Sequence, residues 1–135
     1  MKTITITYLA REVLIIENDR ILSIPYIEIK TIVYDKPYIV VATMNKKYQL
    51  AQNLSTFCVG LPPFIKQIDK STYINLLQVT AIQKKGCVYK ADIQSISYPI
   101  ARRRISKIKE SFVNIKTGSV KTDNCHICIK CKFAV

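Results

Sequence analysis

Tryptophan is absent from this chain of 135 residues, and histidine occurs once, as His126 near the C-terminus. A histidine so placed leaves the body of the chain without a His-dependent catalytic triad. Glycine is scarce as well: Gly60, Gly86 and Gly118 are the whole supply, and none belongs to a Gly-rich loop that could cradle a nucleotide phosphate. The nine carboxylates are scattered, with no close pair for acid–base chemistry. These absences argue against an enzyme. Long apolar runs are also missing. Tyr38 to Met44, interrupted by Thr43, has strand length and falls far short of the roughly 20 residues that span a bilayer. Met1-Lys2-Thr3 leads into alternation rather than an apolar signal region, so a cytoplasmic protein with no membrane insertion is expected. A helix lying on a membrane should set Lys and Arg beside exposed Phe, Leu or Trp, whereas the basic residues here sit mostly at turns.

What is present is apolar mass and positive charge. Apolar residues make up 49% of the chain, ample for one core. Ile, Val, Tyr and Thr dominate, which favours strands. The formal net charge is +12, and ten of the 21 Lys and Arg residues fall between Lys66 and Lys109, opposed there by Asp69 and Asp92, with Glu110 just beyond. Charge concentrated this way implies an anionic partner with an extended surface, and nucleic acid fits best. A module for RNA or single strands needs aromatics clustered on a strand face, whereas the tyrosines here are spread about one per strand. A module for an acidic protein partner is the remaining alternative.

Period-two alternation predicts strands over Thr3–Tyr8, Glu12–Glu17, Arg20–Ile24, Lys30–Tyr34, Tyr38–Met44, Lys47–Ala51, Ile65–Ile68, Thr72–Leu76, Ala81–Lys84, Cys87–Ala91 and Ser95–Tyr98. Asn18-Asp19, Asp35-Lys36-Pro37, Asn45-Lys46 and Lys85-Gly86 supply the turns. Tyr26-Ile27-Glu28 reads as a turn or a single helical turn. Asn53 reads as the N-cap of a brief helix over Leu54–Val59, ended by Gly60 and Pro62-Pro63. A last helix carries Ala101, Ile105, Ile108 and Phe112 as one apolar stripe. The expected class is mainly β.

Arg102, Arg103 and Arg104 stand where that last helix should begin. Cations at a helix N-terminus are unfavourable by a few tenths of a kcal/mol each, and an external phosphate would remove the conflict. Cys58 and Cys87 are isolated and read as small packed apolar residues. Cys125, Cys128 and Cys131 with His126 form CHICIKC, whose C-x2-C-x2-C spacing could in principle supply metal ligands. Seven residues rarely wrap an ion alone, and Cys125, Ile127, Ile129 and Cys131 also alternate as a strand would. No cofactor is therefore expected, and residues 114–135 read as a polar linker followed by a Cys-rich tail.

Two stretches resemble a known family. Ile65-Lys66-Gln67-Ile68-Asp69-Lys70-Ser71, followed by Tyr73-Ile74-Asn75 and Val79-Thr80-Ala81-Ile82, is similar to the central signature of LytTR-type DNA-binding domains. Tyr98-Pro99-Ile100-Ala101-Arg102-Arg103, running into an amphipathic helix, is similar to the closing signature. The resemblance spans Glu12 to Phe112 and implies a LytTR-like domain over residues 1–113. That fold would consist of several small antiparallel sheets stacked in an elongated body with two short helices. It implies sequence-specific binding of double-stranded DNA by a transcriptional regulator whose loops enter the major groove.

Residue by residue, the resemblance places Arg103 in the major groove and Arg102 and Arg104 nearer phosphate. Lys107 falls with the phosphate contacts and Lys66 with the DNA-binding segment. Lys70 is carried over as a DNA contact, with Ser71 donating to a phosphate. In the first contact loop Lys36 would meet phosphate, and Tyr38 would lie against a sugar or a base methyl. Gln67, Asp69 and Thr72 stand where the family commonly has Arg, His and an aromatic. Asp69 would orient Lys70 or accept from a cytosine amine, and Asn75 would serve turn backbone. Relatives often carry an N-terminal receiver, for which this chain has no room. Regulation would then come from a protein partner, a membrane-bound inhibitor, the Cys tail or expression level, and a homodimer on paired direct repeats is a further expectation.

Overall fold

The computed structural model describes residues 4–118. Eleven strands form three antiparallel sheets. The first is β1 (Thr5–Tyr8), β2 (Glu12–Ile16) and β3 (Ile21–Pro25), in that order. A single helical turn over Tyr26–Glu28 leads into the second sheet. Its strands are β4 (Ile29–Asp35), β5 (Tyr38–Thr43), β6 (Lys47–Leu50), β7 (Ile65–Asp69) and β8 (Thr72–Asn75), arranged β6-β5-β4-β8-β7. The third sheet is β9 (Ala81–Lys85), β10 (Val88–Ile93) and β11 (Ile96–Pro99), with β10 central. The mainly β class is as expected, with several small antiparallel sheets and two helices.

Helix α1 (Leu54–Cys58) starts where the expected cap stands: Asn53 Oδ1 accepts from Thr56 N at 3.1 Å. Its apolar face, with Leu54, Phe57 and Cys58, is buried. The first sheet docks on this helix through Tyr8, whose hydroxyl donates to Phe57 O at 2.6 Å. Gly60 is required by that contact, since a Cβ there would lie 2.6 Å from the Tyr8 ring. Asn75, fully buried, ties β8 to the end of the first sheet's connection. Its Nδ2 donates to Tyr26 O at 3.2 Å and Ile29 O at 2.9 Å, while its Oδ1 accepts from Leu77 N at 2.8 Å. Buried polar groups persist only when satisfied in this way.

The closing helix differs from its expected form. Arg102–Arg104 make a 3-10 turn, with Ala101 ahead of it, and α2 runs from Ile105 to Thr117 rather than ending near Phe112. Ile115 is buried beside Ile108 and extends the apolar stripe by a turn, and the left-handed Gly118 (φ 71°) ends the helix. Residues Asn114 to Thr117, read above as linker, are thus helical. Cys87 is a correction as well: it lies in the β9–β10 turn and is exposed, whereas Cys58 is buried, its thiol pKa pushed up to about 12 by burial. Cys125, His126, Cys128 and Cys131 lie outside the described residues. Among the described residues no helix is long and apolar enough to cross a membrane, and no cluster of His, Cys, Asp and Glu could hold a metal ion.

Candidate nucleic-acid interface

Strand pairing brings the expected contact loops together. β4 pairs antiparallel with β8 (Val33 opposite Thr72), and Tyr34 N donates to Ser71 O at 2.8 Å. The β4–β5 turn bearing Lys36 and the β7–β8 turn bearing Lys70 therefore sit side by side at one end of the second sheet. The Lys36–Pro37 peptide in the first of these turns is cis. The arginine turn joins them from the other side of β7: Ala101 N donates to Ile68 O at 2.8 Å, which holds Arg102–Arg104 against that strand.

Two adjoining clefts cover this region. One, of about 520 Å³, is lined by Lys66, Gln67, Tyr73, Arg104 and Lys107, with Glu110 also on its wall. The second, of about 260 Å³, includes Tyr34, Ser55, Gln67, Lys70 and Tyr73. Gln67 and Tyr73 belong to both, which follows from their being direct partners across β7 and β8. A continuous surface thus runs from Lys107 and Arg104 past Gln67 and Tyr73 to Lys70 and Tyr34. Arg102, Arg103, Lys107 and Lys70 are exposed.

Arg104 is the unusual member. Its residue is half-buried, and its Nε is buried with no hydrogen-bond partner among the described residues. An unmade hydrogen bond at a buried donor costs about 1–3 kcal/mol, which an anion in the cleft would offset. Burial raises the Tyr73 hydroxyl pKa, Cys58 adds to the rise and the Arg104 charge opposes it. Tyr73 thus stays a neutral hydroxyl beside the guanidinium.

The Lys70 turn is ordered from within. Asp69 Oδ1 accepts from Ser71 N at 2.8 Å and from Ser71 Oγ at 3.2 Å. Asp69 therefore shapes the turn that displays Lys70, and the Ser71 hydroxyl proton is directed at Asp69. A β-bulge between Gln67 and Asp69 re-aims this end of β7. Asn75 is structural, as expected.

Tyr38 is placed apart from the others. The hairpin register sets Asp35 opposite Tyr38 and Tyr34 opposite Ile39, so the two tyrosines point to opposite faces of the sheet. Tyr34 joins the Lys70 cleft. Tyr38 instead lines a separate hollow of mixed charge with Glu17, Asp19, Asp35, Arg20 and Lys47. Sequence reading passed over Tyr34, Gln67 and Tyr73, whose common signal is cross-strand position. It also passed over Tyr89, whose ring has Lys109 Nζ 4.6 Å and Lys84 Nζ 5.9 Å from its centroid. The Lys109 contact links α2 to the third sheet.

A family model for the LytTr DNA-binding domain matches residues 19–112. Among solved structures, a LytTr DNA-binding domain from Bacillus cereus superposes with a TM-score of 0.63 over 75% of this chain and 95% of that one, at 13% identity. No curated protein matches the chain. The structural likeness shows a shared fold, and the match over residues 19–112 shows the lineage: the chain belongs to the LytTr DNA-binding domain family.

Proposed function

We propose that this protein is a transcriptional regulator that binds double-stranded DNA sequence-specifically, with its turns directed into the major groove. The observation that carries this reading is the continuous basic surface joining the two clefts, with the unpartnered Arg104 Nε inside it. In this reading Arg104, Lys66 and Lys107 hold one stretch of phosphates and Arg102 another. Arg103, exposed on the 3-10 turn, is the base reader, since a guanidinium fork matches guanine O6 and N7. Lys70 reads or clamps the neighbouring groove edge from a turn held by Ser71 and Asp69. Lys36 meets backbone beyond it. Tyr38, on the opposite face of the sheet from Tyr34 and in a hollow of mixed charge with Glu17, Asp19, Asp35, Arg20 and Lys47, is the weakest of the expected contacts, and Tyr34 takes the role assigned to it.

Arg103→Ala should weaken binding to the specific site by about 1–3 kcal/mol while leaving random duplex nearly unchanged. Fluorescence anisotropy with both duplexes measures this, and equal losses on the two would remove base reading from Arg103. Tyr34 and Tyr73 lining one cleft favour a second reading, in which unpaired bases stack on them. Competition by single-stranded DNA and structured RNA in the same assay separates the two: the duplex reading requires that neither displace the specific duplex efficiently.

A further inference from the structure

The six sheet edges are not protected alike. β3 ends in Pro25 and β11 in Pro99. On β6, which carries Lys47, the Gln49 carbonyl accepts from Arg20 Nη2 at 3.0 Å. β7 is bulged, and its Ile68 carbonyl accepts from Ala101 N. β9 carries Lys84 and Lys85. Proline, charge, bulges and covering groups are the devices by which sheets avoid pairing with foreign strands. Among the described residues β1 has none of them. Its residues Thr5-Ile6-Thr7-Tyr8 are uncharged and pair without a break to Val13–Ile16 of β2. Among the described residues its outer side has no strand neighbour and no backbone hydrogen bond outside the β2 ladder.

This edge is also held rigid. Ile6 and Tyr8 pack against the core, and Tyr8 is anchored on α1 and Gly60. Thr5 and Thr7 are exposed on the outer face. The surroundings are electrostatically permissive in a chain of net charge +12. Between residues 4 and 28 the carboxylates Glu12, Glu17, Asp19 and Glu28 outnumber Arg11 and Arg20. Two copies can approach there without the repulsion that the basic face would impose.

We propose that β1 is a self-association edge, at which the β1 strands of two copies pair antiparallel and join two three-stranded sheets into one of six strands. A two-fold axis relating antiparallel strands is perpendicular to the sheet, so inner faces stay with inner faces. The register must then set Ile6 opposite Ile6 or Thr7 opposite Thr7 of the second copy. The first register pairs Thr5 with Thr7 on the outside and Ile4 with Tyr8 on the inside, and the second pairs Ile6 with Tyr8 on the inside. The contact is isologous and closes at two copies, unlike the head-to-tail arrangement of tandem copies on direct repeats. It does not depend on nucleic-acid binding.

Sedimentation equilibrium of the full chain under reducing conditions, which removes disulfide-linked species, tests it. The expected result is a monomer–dimer equilibrium. Thr5→Lys with Thr7→Lys, both at exposed positions, should raise its dissociation constant by at least about tenfold. Thr5→Val with Thr7→Val should leave it intact or tighten it. Circular dichroism and single-site DNA affinity, unchanged in the lysine variant, would show that the fold survives. A chain that is monomeric at its highest soluble concentration, or a lysine variant with an unaltered dimer constant, overturns the proposal. So does slow amide hydrogen exchange at the outer edge of β1 persisting in dilute monomer, because another part of the same chain would then cover it.

Discussion

The first sheet and the segment from β7 to α2 divide the labour of the molecule unequally. Between residues 4 and 28 acids outnumber bases, the polar groups face one another, and Arg20 is engaged with Glu17 and the Gln49 carbonyl. From Lys66 onward cations prevail, and several lack acidic partners. Among the described residues Arg104 Nε has no hydrogen-bond partner, and Lys84 and Lys109 each lie over the ring of Tyr89. Satisfied charge stabilises a fold, whereas unsatisfied charge of one sign marks a place built for something external. Asn75 stitches the two regions together, so the basic face is held on a scaffold that the first sheet helps to support.

That contrast can be broken most severely at the stitch. Asn75→Ala removes the side-chain donor to the Ile29 carbonyl, one of the two donors to the Tyr26 carbonyl and the acceptor of the Leu77 amide, and should cost about 3 kcal/mol of stability in urea unfolding. If the two regions were independent, the loss would be confined to one of two separate transitions. Arg104→Met should weaken binding to any duplex by about 2 kcal/mol yet leave stability unchanged or slightly raised, because it deletes an unpartnered buried donor. A matching loss of stability would reassign Arg104 to the scaffold. Arg102→Ala and Lys107→Ala should each reduce the slope of log affinity against log salt by about 0.9, without altering base preference. Arg20→Ala marks the quiet end of the series. Its exposed ion pair should contribute under about 1 kcal/mol to stability, and DNA affinity should not move.

Alternation and turn chemistry made the strands legible to within a residue or two. Asn53 announced its helix because a cap is a local device with a local signature. What stayed hidden depends on how distant strands meet. Tyr34 and Tyr38 flank one turn and look equivalent along the chain. Only the pairing of Asp35 with Tyr38 sends them to opposite faces. Gln67 and Tyr73 became central because β7 and β8 set them opposite each other. Ser71 looked free to donate outward until Asp69 proved to be its acceptor, a contact two residues apart that the turn geometry decides. Cys87 looked like packing material, yet the turn at Gly86 leaves it exposed. The end of α2 was misjudged because Asn114 and Thr117 resemble linker, while the buried Ile115 between them holds the helix on the body.

The uneven placement of charge also gives the molecule a permanent electric moment, with its positive end at the arginine turn. In the field of a polyanion such a body experiences a torque as well as an attraction, and it turns its reading surface forward before contact. Productive encounters should therefore be a larger fraction of all collisions than random tumbling allows, and the association rate should fall as added ions shorten the reach of that field.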